Sequence, residues 1–139
     1  MNKIIISIIA TFIVITAQAQ SLTFDETVKY LNEKLSVSDE SVSVSEYGLV
    51  TFTYPSGSTY KYDLNEVKME YIYGTNDDGG YHQFMVTCDN CVTSDYHGTG
   101  DDIEVDGDFY FTLPTKKDIE STIKAFNHLK TLLKDDPFD

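Results

Sequence analysis

Residues 50–64 read VTFTYPSGSTYKYDL, and this stretch decides the fold. Val50, Phe52 and Tyr54 alternate with threonines, Pro55-Ser56-Gly57 offers a turn, and Tyr60, Tyr62 and Leu64 alternate with Lys61 and Asp63. A period of two sends alternate side chains to opposite faces of a strand. Two such runs joined by a short turn start an antiparallel sheet with one face on a core and one in water.

The same period continues on both sides. Upstream, Val42 and Val44 alternate with serines; downstream, Val67, Met69, Tyr71 and Tyr73 alternate with Lys68, Glu70 and Ile72. Gly74–Gly80 reads as a mobile, glycine-rich loop. Tyr81–Cys88 reads as the next strand, with Cys91–Tyr96 pairing back on it. His97–Asp102 reads as a second polar loop and Asp108–Leu113 as the last strand.

Helical spacing flanks this region. Thr23 and Glu26 have the pattern of a capping box, and Phe24, Val28, Leu31 and Leu35 follow on one stripe. At the other end Pro114 and Thr115 open a helix, with Asp118 placed to help the cap. Ile119, Ile123, Phe126, Leu129 and Leu133 form its apolar stripe, Lys130 and Lys134 suit the negative end of its dipole, and Pro137 stops it.

The expected fold is therefore α+β: an N-terminal helix, then an antiparallel meander of about seven strands closed by a C-terminal helix. The strands would form a sandwich or a partly open barrel. This element order over Val42–Lys134 resembles the pleckstrin-homology-like superfold. The resemblance implies an architecture only. The superfold's phosphoinositide pocket would need a basic strand-loop, and the Pro55–Thr59 turn has only Lys61 beside it.

The first residues carry a different message. Met1–Lys3 is a short basic start, Ile4–Ile15 is an apolar run, and Ala17 and Ala19 are small residues where signal peptidase reads. A membrane span needs about 20 apolar residues, so this run is too short for a permanent anchor. Residues 1–19 read as a cleaved signal peptide and 20–139 as one globular domain, periplasmic or secreted. The Ala17-Gln18-Ala19-Gln20 ending resembles that of small exported proteins of Bacteroidota. Beyond the leader, 23 acidic residues stand against 9 lysines, with no arginine. That charge repels phosphate backbones and anionic lipid, so neither nucleic acid nor membrane insertion after signal removal is expected.

Four features carry candidate chemistry. Cys88-Asp89-Asn90-Cys91 reads first as a disulfide across a two-residue hairpin turn, as an oxidising compartment favours. A redox pair, or a zinc site completed by His82 and His97, is a weaker alternative. Asp101, Asp102, Glu104 and Asp106 begin like a calcium loop, but Leu113 occupies the position that needs a bidentate glutamate. A calcium site outside that motif, or a solvated acidic loop, remains. Tyr71 and Tyr73 share a strand face with Val67 and Met69, which favours core or rim places over a ligand platform. With Asp77, Asp78, Tyr96 and His97 they form the candidate binding set, because loops on a rigid sheet carry specificity. No Gly-x-Ser-x-Gly, His-Glu-x-x-His or phosphate loop occurs. His128, between Phe126 and Leu129, reads as a rim residue. The expected function is a non-enzymatic interaction module for a protein, peptide or glycan, with no cofactor unless calcium. A calcium-binding domain is the alternative, and a thiol or zinc protein is a more distant one.

Overall fold

The computed structural model describes residues 22–100, 102–105 and 109–135, apart from the side chains of His97, Asp102, Glu104 and Val105. The leader, Asp101, Asp106, Asp108 and Pro137 lie outside the described residues. Helix α1 spans Phe24–Leu35. Its capping box is complete: the Thr23 hydroxyl accepts from the Glu26 N–H, and the Glu26 carboxylate accepts from the Thr23 N–H at 2.8 Å. That backbone bond holds the Glu26 carboxyl below its usual pKa. The helix buries Thr27, Leu31 and Leu35. Asp39, at φ 55°, then turns the chain into the first sheet.

Eight strands follow among the described residues: β1 (Ser41–Val44), β2 (Leu49–Thr53), β3 (Thr59–Asp63), β4 (Lys68–Asn76), β5 (Gly79–Thr87), β6 (Val92–Asp95), β7 (Asp102–Val105) and β8 (Phe109–Leu113). They form one sheet in the order β1-β2-β3-β6-β7 and a second in the order β4-β5-β8. The neighbouring strands in both sheets run antiparallel. Helix α2 spans Lys116–Leu132 and closes the domain. The expected α+β sandwich between two helices is the observed architecture.

Three local expectations change. First, Cys91–Tyr96 does not pair back on Tyr81–Cys88. Both edges of β5 are taken, by β4 and β8, so β6 joins the other sheet beside β3, with Tyr60 opposite Ser94. The Cys88–Cys91 disulfide is present, with Cα atoms 5.8 Å apart, but it is not across a hairpin turn. It braces the corner where the chain leaves one sheet for the other, and Asn90 at φ 53° makes that corner. Second, Gly74–Gly80 is not a loop. Strands β4 and β5 continue through it, leaving only Asp77-Asp78 as the turn. The glycines are there for the rings: a Cβ on Gly74 would strike the Tyr81 ring, and one on Gly80 would strike the Tyr73 ring. Third, the start of the acidic stretch is a strand. Asp102–Val105 is β7, paired with β6.

The core is a run of rings. Phe52 in the first sheet lies 4.8 Å from Phe111 in the second, centroid to centroid. Phe111 lies 4.5 Å from Phe84, and Phe84 lies 5.7 Å from Phe126 on α2. Phe109 adds a stacked contact with Tyr60 at 4.7 Å. The inward face of the second sheet is thus shared between the first sheet and α2. Asn32 closes the open edge of β1: its side-chain amide donates to the Val42 carbonyl at 2.8 Å and its oxygen accepts from the Val42 N–H at 2.9 Å. A side chain here imitates a neighbouring strand and blocks edge pairing. Between the helices, Lys34 meets Asp118 at 3.0 Å.

Tyr62 is one exception to good pairing. It is buried, and its hydroxyl has no hydrogen-bond partner among the described residues. Burial pushes its phenol pKa far up. Tyr62→Phe removes an unsatisfied polar atom and keeps the ring, so it should raise stability by about 1 kcal/mol in urea denaturation. The double change Cys88→Ser with Cys91→Ser should lower stability by about 2 kcal/mol and speed proteolysis at the corner, read by mass spectrometry of the fragments.

Candidate functional site

The β4–β5 hairpin runs past the start of α2, and its far end carries the best-organised surface group in the molecule. Strand register sets Tyr73 opposite His82, with Tyr71 two residues along on the same face. The Tyr73 and His82 rings are 5.3 Å apart, and the Tyr71 and His82 rings are 5.8 Å apart and near parallel. The Tyr71 hydroxyl and His82 Nδ1 share a hydrogen bond of 2.9 Å. From the first turn of α2, the Lys116 ammonium sits 5.2 Å from the Tyr71 ring centre. Tyr73 is 56% exposed, while Tyr71 and His82 are half-buried. The result is a shelf of three rings, two held together by a hydrogen bond and the third, Tyr73, open to solvent.

A recess of about 420 Å³ adjoins it, lined by Ser38, Gly80, Tyr81, His82, Thr112 and Pro114 among others. Hydroxyls and backbone groups here stand beside ring faces. This is the chemistry of recognition: apolar planes with polar groups at their margins. The hydrogen-bond partner of His82 is the Tyr71 phenol.

The sequence-derived candidates divide between the two sheets. Tyr71 and Tyr73 come together, and Asp77 and Asp78 form the exposed turn of the same hairpin. Tyr96 and His97 belong to a short 3-10 turn, Tyr96–Gly98, that follows β6 and packs by β3. Asp101 and Asp106 lie outside the described residues, and of Asp102 and Glu104 only the backbone positions in β7 are described. Among the described residues no three His, Cys, Asp or Glu side chains gather as metal ligands. Cys88 and Cys91 are bonded to one another, so neither offers a thiolate.

Tyr81 and Lys116 were not read as binding residues, and His82 was read only as a zinc ligand with the cysteines. His82 was legible as a member of the inward face, since it alternates with Phe84 and Val86. Its place beside Tyr73 needed the register set by the Asp77-Asp78 turn.

One further group was missed. Glu40, between α1 and β1, is half-buried, and its Oε2 has no hydrogen-bond partner among the described residues. Burial pushes its carboxyl up to about 7. It also adds to the rise at the Tyr54 phenol, which burial begins. The Tyr54 hydroxyl donates to the Tyr110 carbonyl at 3.0 Å, so that phenol has a structural task. Glu40 does not line the recess beside the shelf.

Comparison with known proteins gives no relative. No family model, curated protein or solved structure matches the chain. The functional case therefore rests on the residues themselves. Among the described residues, no helix is long and apolar enough to cross a membrane.

Glu40 gives a pH test. Its folded pKa lies above its unfolded value of 4.5, so the native state holds a proton that the unfolded state has lost. The contribution of Glu40 to stability is therefore fullest below pH 4.5 and declines as pH rises to about 7. Partial exposure screens the charge, so the loss should be roughly 1 kcal/mol. Glu40→Gln should melt higher than the parent at pH 8, with the gap closing toward pH 4, by calorimetry.

Proposed function

We propose that this chain is an exported, non-enzymatic binding module whose hairpin shelf takes a glycan. The observation that carries the proposal is the locked Tyr73–His82–Tyr71 group, with one ring more than half exposed. A sugar ring has an apolar C–H face and a rim of hydroxyls. The shelf offers ring faces for the first, and the Ser38, Thr112 and backbone groups of the recess suit the second. Tyr71 and His82 are already held by their hydrogen bond and Tyr73 packs against His82, so the rings lose little entropy when a ligand lands on them. Export is supported by the apolar leader at residues 4–15 and by the disulfide, which an oxidising compartment preserves.

A second reading has its own observation. Strand β4 is nine residues long and forms one edge of its sheet. An extended peptide would add there as a further strand, with Tyr71 and Tyr73 meeting its alternate side chains.

Tyr73→Ala tests the first reading. The side chain is exposed, so folding is kept, and affinity for an oligosaccharide found on a glycan array should fall about tenfold by calorimetry, ~1.4 kcal/mol. Unchanged affinity would remove the shelf from the site. An array with no retained sugar, beside a peptide that broadens the amide signals of β4 by NMR, would favour strand addition.

A further inference from the structure

A second concavity lies away from the hairpin, between the two helices. It has a volume of about 370 Å³, and Leu22, Thr27, Tyr30, Ser121, Lys124, Ala125 and His128 form its walls. We infer that this groove is a separate binding site for a small amphipathic carboxylate, an ion with one acidic head and an apolar body.

The walls are more apolar than their residue names suggest. The Thr27 hydroxyl donates to the Thr23 carbonyl at 2.8 Å, and the Ser121 hydroxyl donates to the Lys117 carbonyl at 2.7 Å. Both protons are spent on the preceding helical turn, which leaves carbon surface toward the groove. His128 closes one side by a 2.8 Å contact between Nε2 and the Leu22 carbonyl. A carbonyl only accepts, so Nε2 carries the hydrogen there and is not free to act as a base.

Charge selects the ligand. The chain has 23 acidic residues, yet among the described residues none lines this groove, and the one charged wall residue is Lys124. Lys34, Lys116 and Lys134 each have a carboxylate partner; among the described residues Lys124, like Lys29 and Lys68, has none. An unpaired ammonium at the margin of an apolar groove, with the Tyr30 phenol on the opposite helix, is matched by a carboxylate with a hydrocarbon or aryl body. A pocket of this size lies at the small end of the ligand-site range, about 300–1,000 Å³, which favours a medium-length chain over a long one.

Decanoate is the probe, with decanol as its uncharged counterpart. NMR titration of the purified protein should shift the Ala125 methyl, Tyr30 ring and His128 ring signals together. Calorimetry should show decanoate binding at least tenfold tighter than decanol. Lys124→Glu, on an exposed side chain, should weaken decanoate tenfold or more and leave decanol little changed. Ser121→Phe, which fills the groove, should weaken both. Equal decanoate affinity in the parent and in both variants would overturn the proposal, as would shifts centred on the Tyr71–His82 shelf. Binding seen only after residues ahead of Leu22 are removed would also overturn it, because the groove would then belong to the chain's own N-terminal segment.

Discussion

The contact between Phe111 and its neighbours Phe52 and Phe84 is the constraint on which the rest of the molecule depends. Phe111 sits on β8 with a ring of the first sheet on one side and a ring of its own sheet on the other. Phe84 passes the packing on to Phe126 of α2. Each ring pair contributes about 0.5–1.5 kcal/mol beyond the area it removes from water. Orientation matters as much as energy. Once Phe84 and Phe111 face inward, the two-residue period sends His82, Tyr71 and Tyr73 to the same side. Helix α2 begins at Lys116, beside Tyr71, so the hairpin end beyond it stays uncovered. Core packing and the open shelf are two ends of one sheet face.

The polar groups show how a chain with so few cations uses them. Lys34 joins the two helices through Asp118, Lys134 joins the end of the chain to Glu46 at 2.7 Å, and Lys116 lies over Tyr71. Surface pairs of this kind contribute little stability individually, about 0–1 kcal/mol. Their use is positional, since each connects segments far apart in sequence. Tyr62 and Glu40 run the other way. Each keeps a polar atom without a partner among the described residues, and each marks a place where ring packing or chain path prevailed over hydrogen bonding.

Elements with a local cause were legible. Both helices start at the threonines that cap them, Thr23 and Thr115, and bury Leu31, Leu35, Ile119, Phe126 and Leu129 from the expected stripes; Phe24, Val28 and Ile123 are only partly buried, and the second helix ends at Leu132, before Leu133 and Lys134. Strand positions followed the alternation of Val50, Phe52, Tyr60 and Tyr62. The cysteine pair was legible as a disulfide because the leader implied an oxidising compartment, but the hairpin turn expected between the two cysteines is a corner between sheets. The site was only partly legible. Tyr71 and Tyr73 were visible as a pair on one face, but His82 was nine residues further on, across a turn that looked like a loop. Glycine-rich sequence suggests freedom, whereas here Gly74 and Gly80 make room for Tyr81 and Tyr73.

Periodicity and capping therefore determined which residues form helices and strands, and which side of each faces the core, because those properties depend on neighbours within a few residues. Sheet membership was decided only in three dimensions. Strand β6 reads the same beside β5 or β3; it lies beside β3 because β4 and β8 already occupy both edges of β5. Edge occupancy is a property of the assembled sheet. The ring shelf and the groove between the helices arise the same way, from elements distant in sequence that the core brings together.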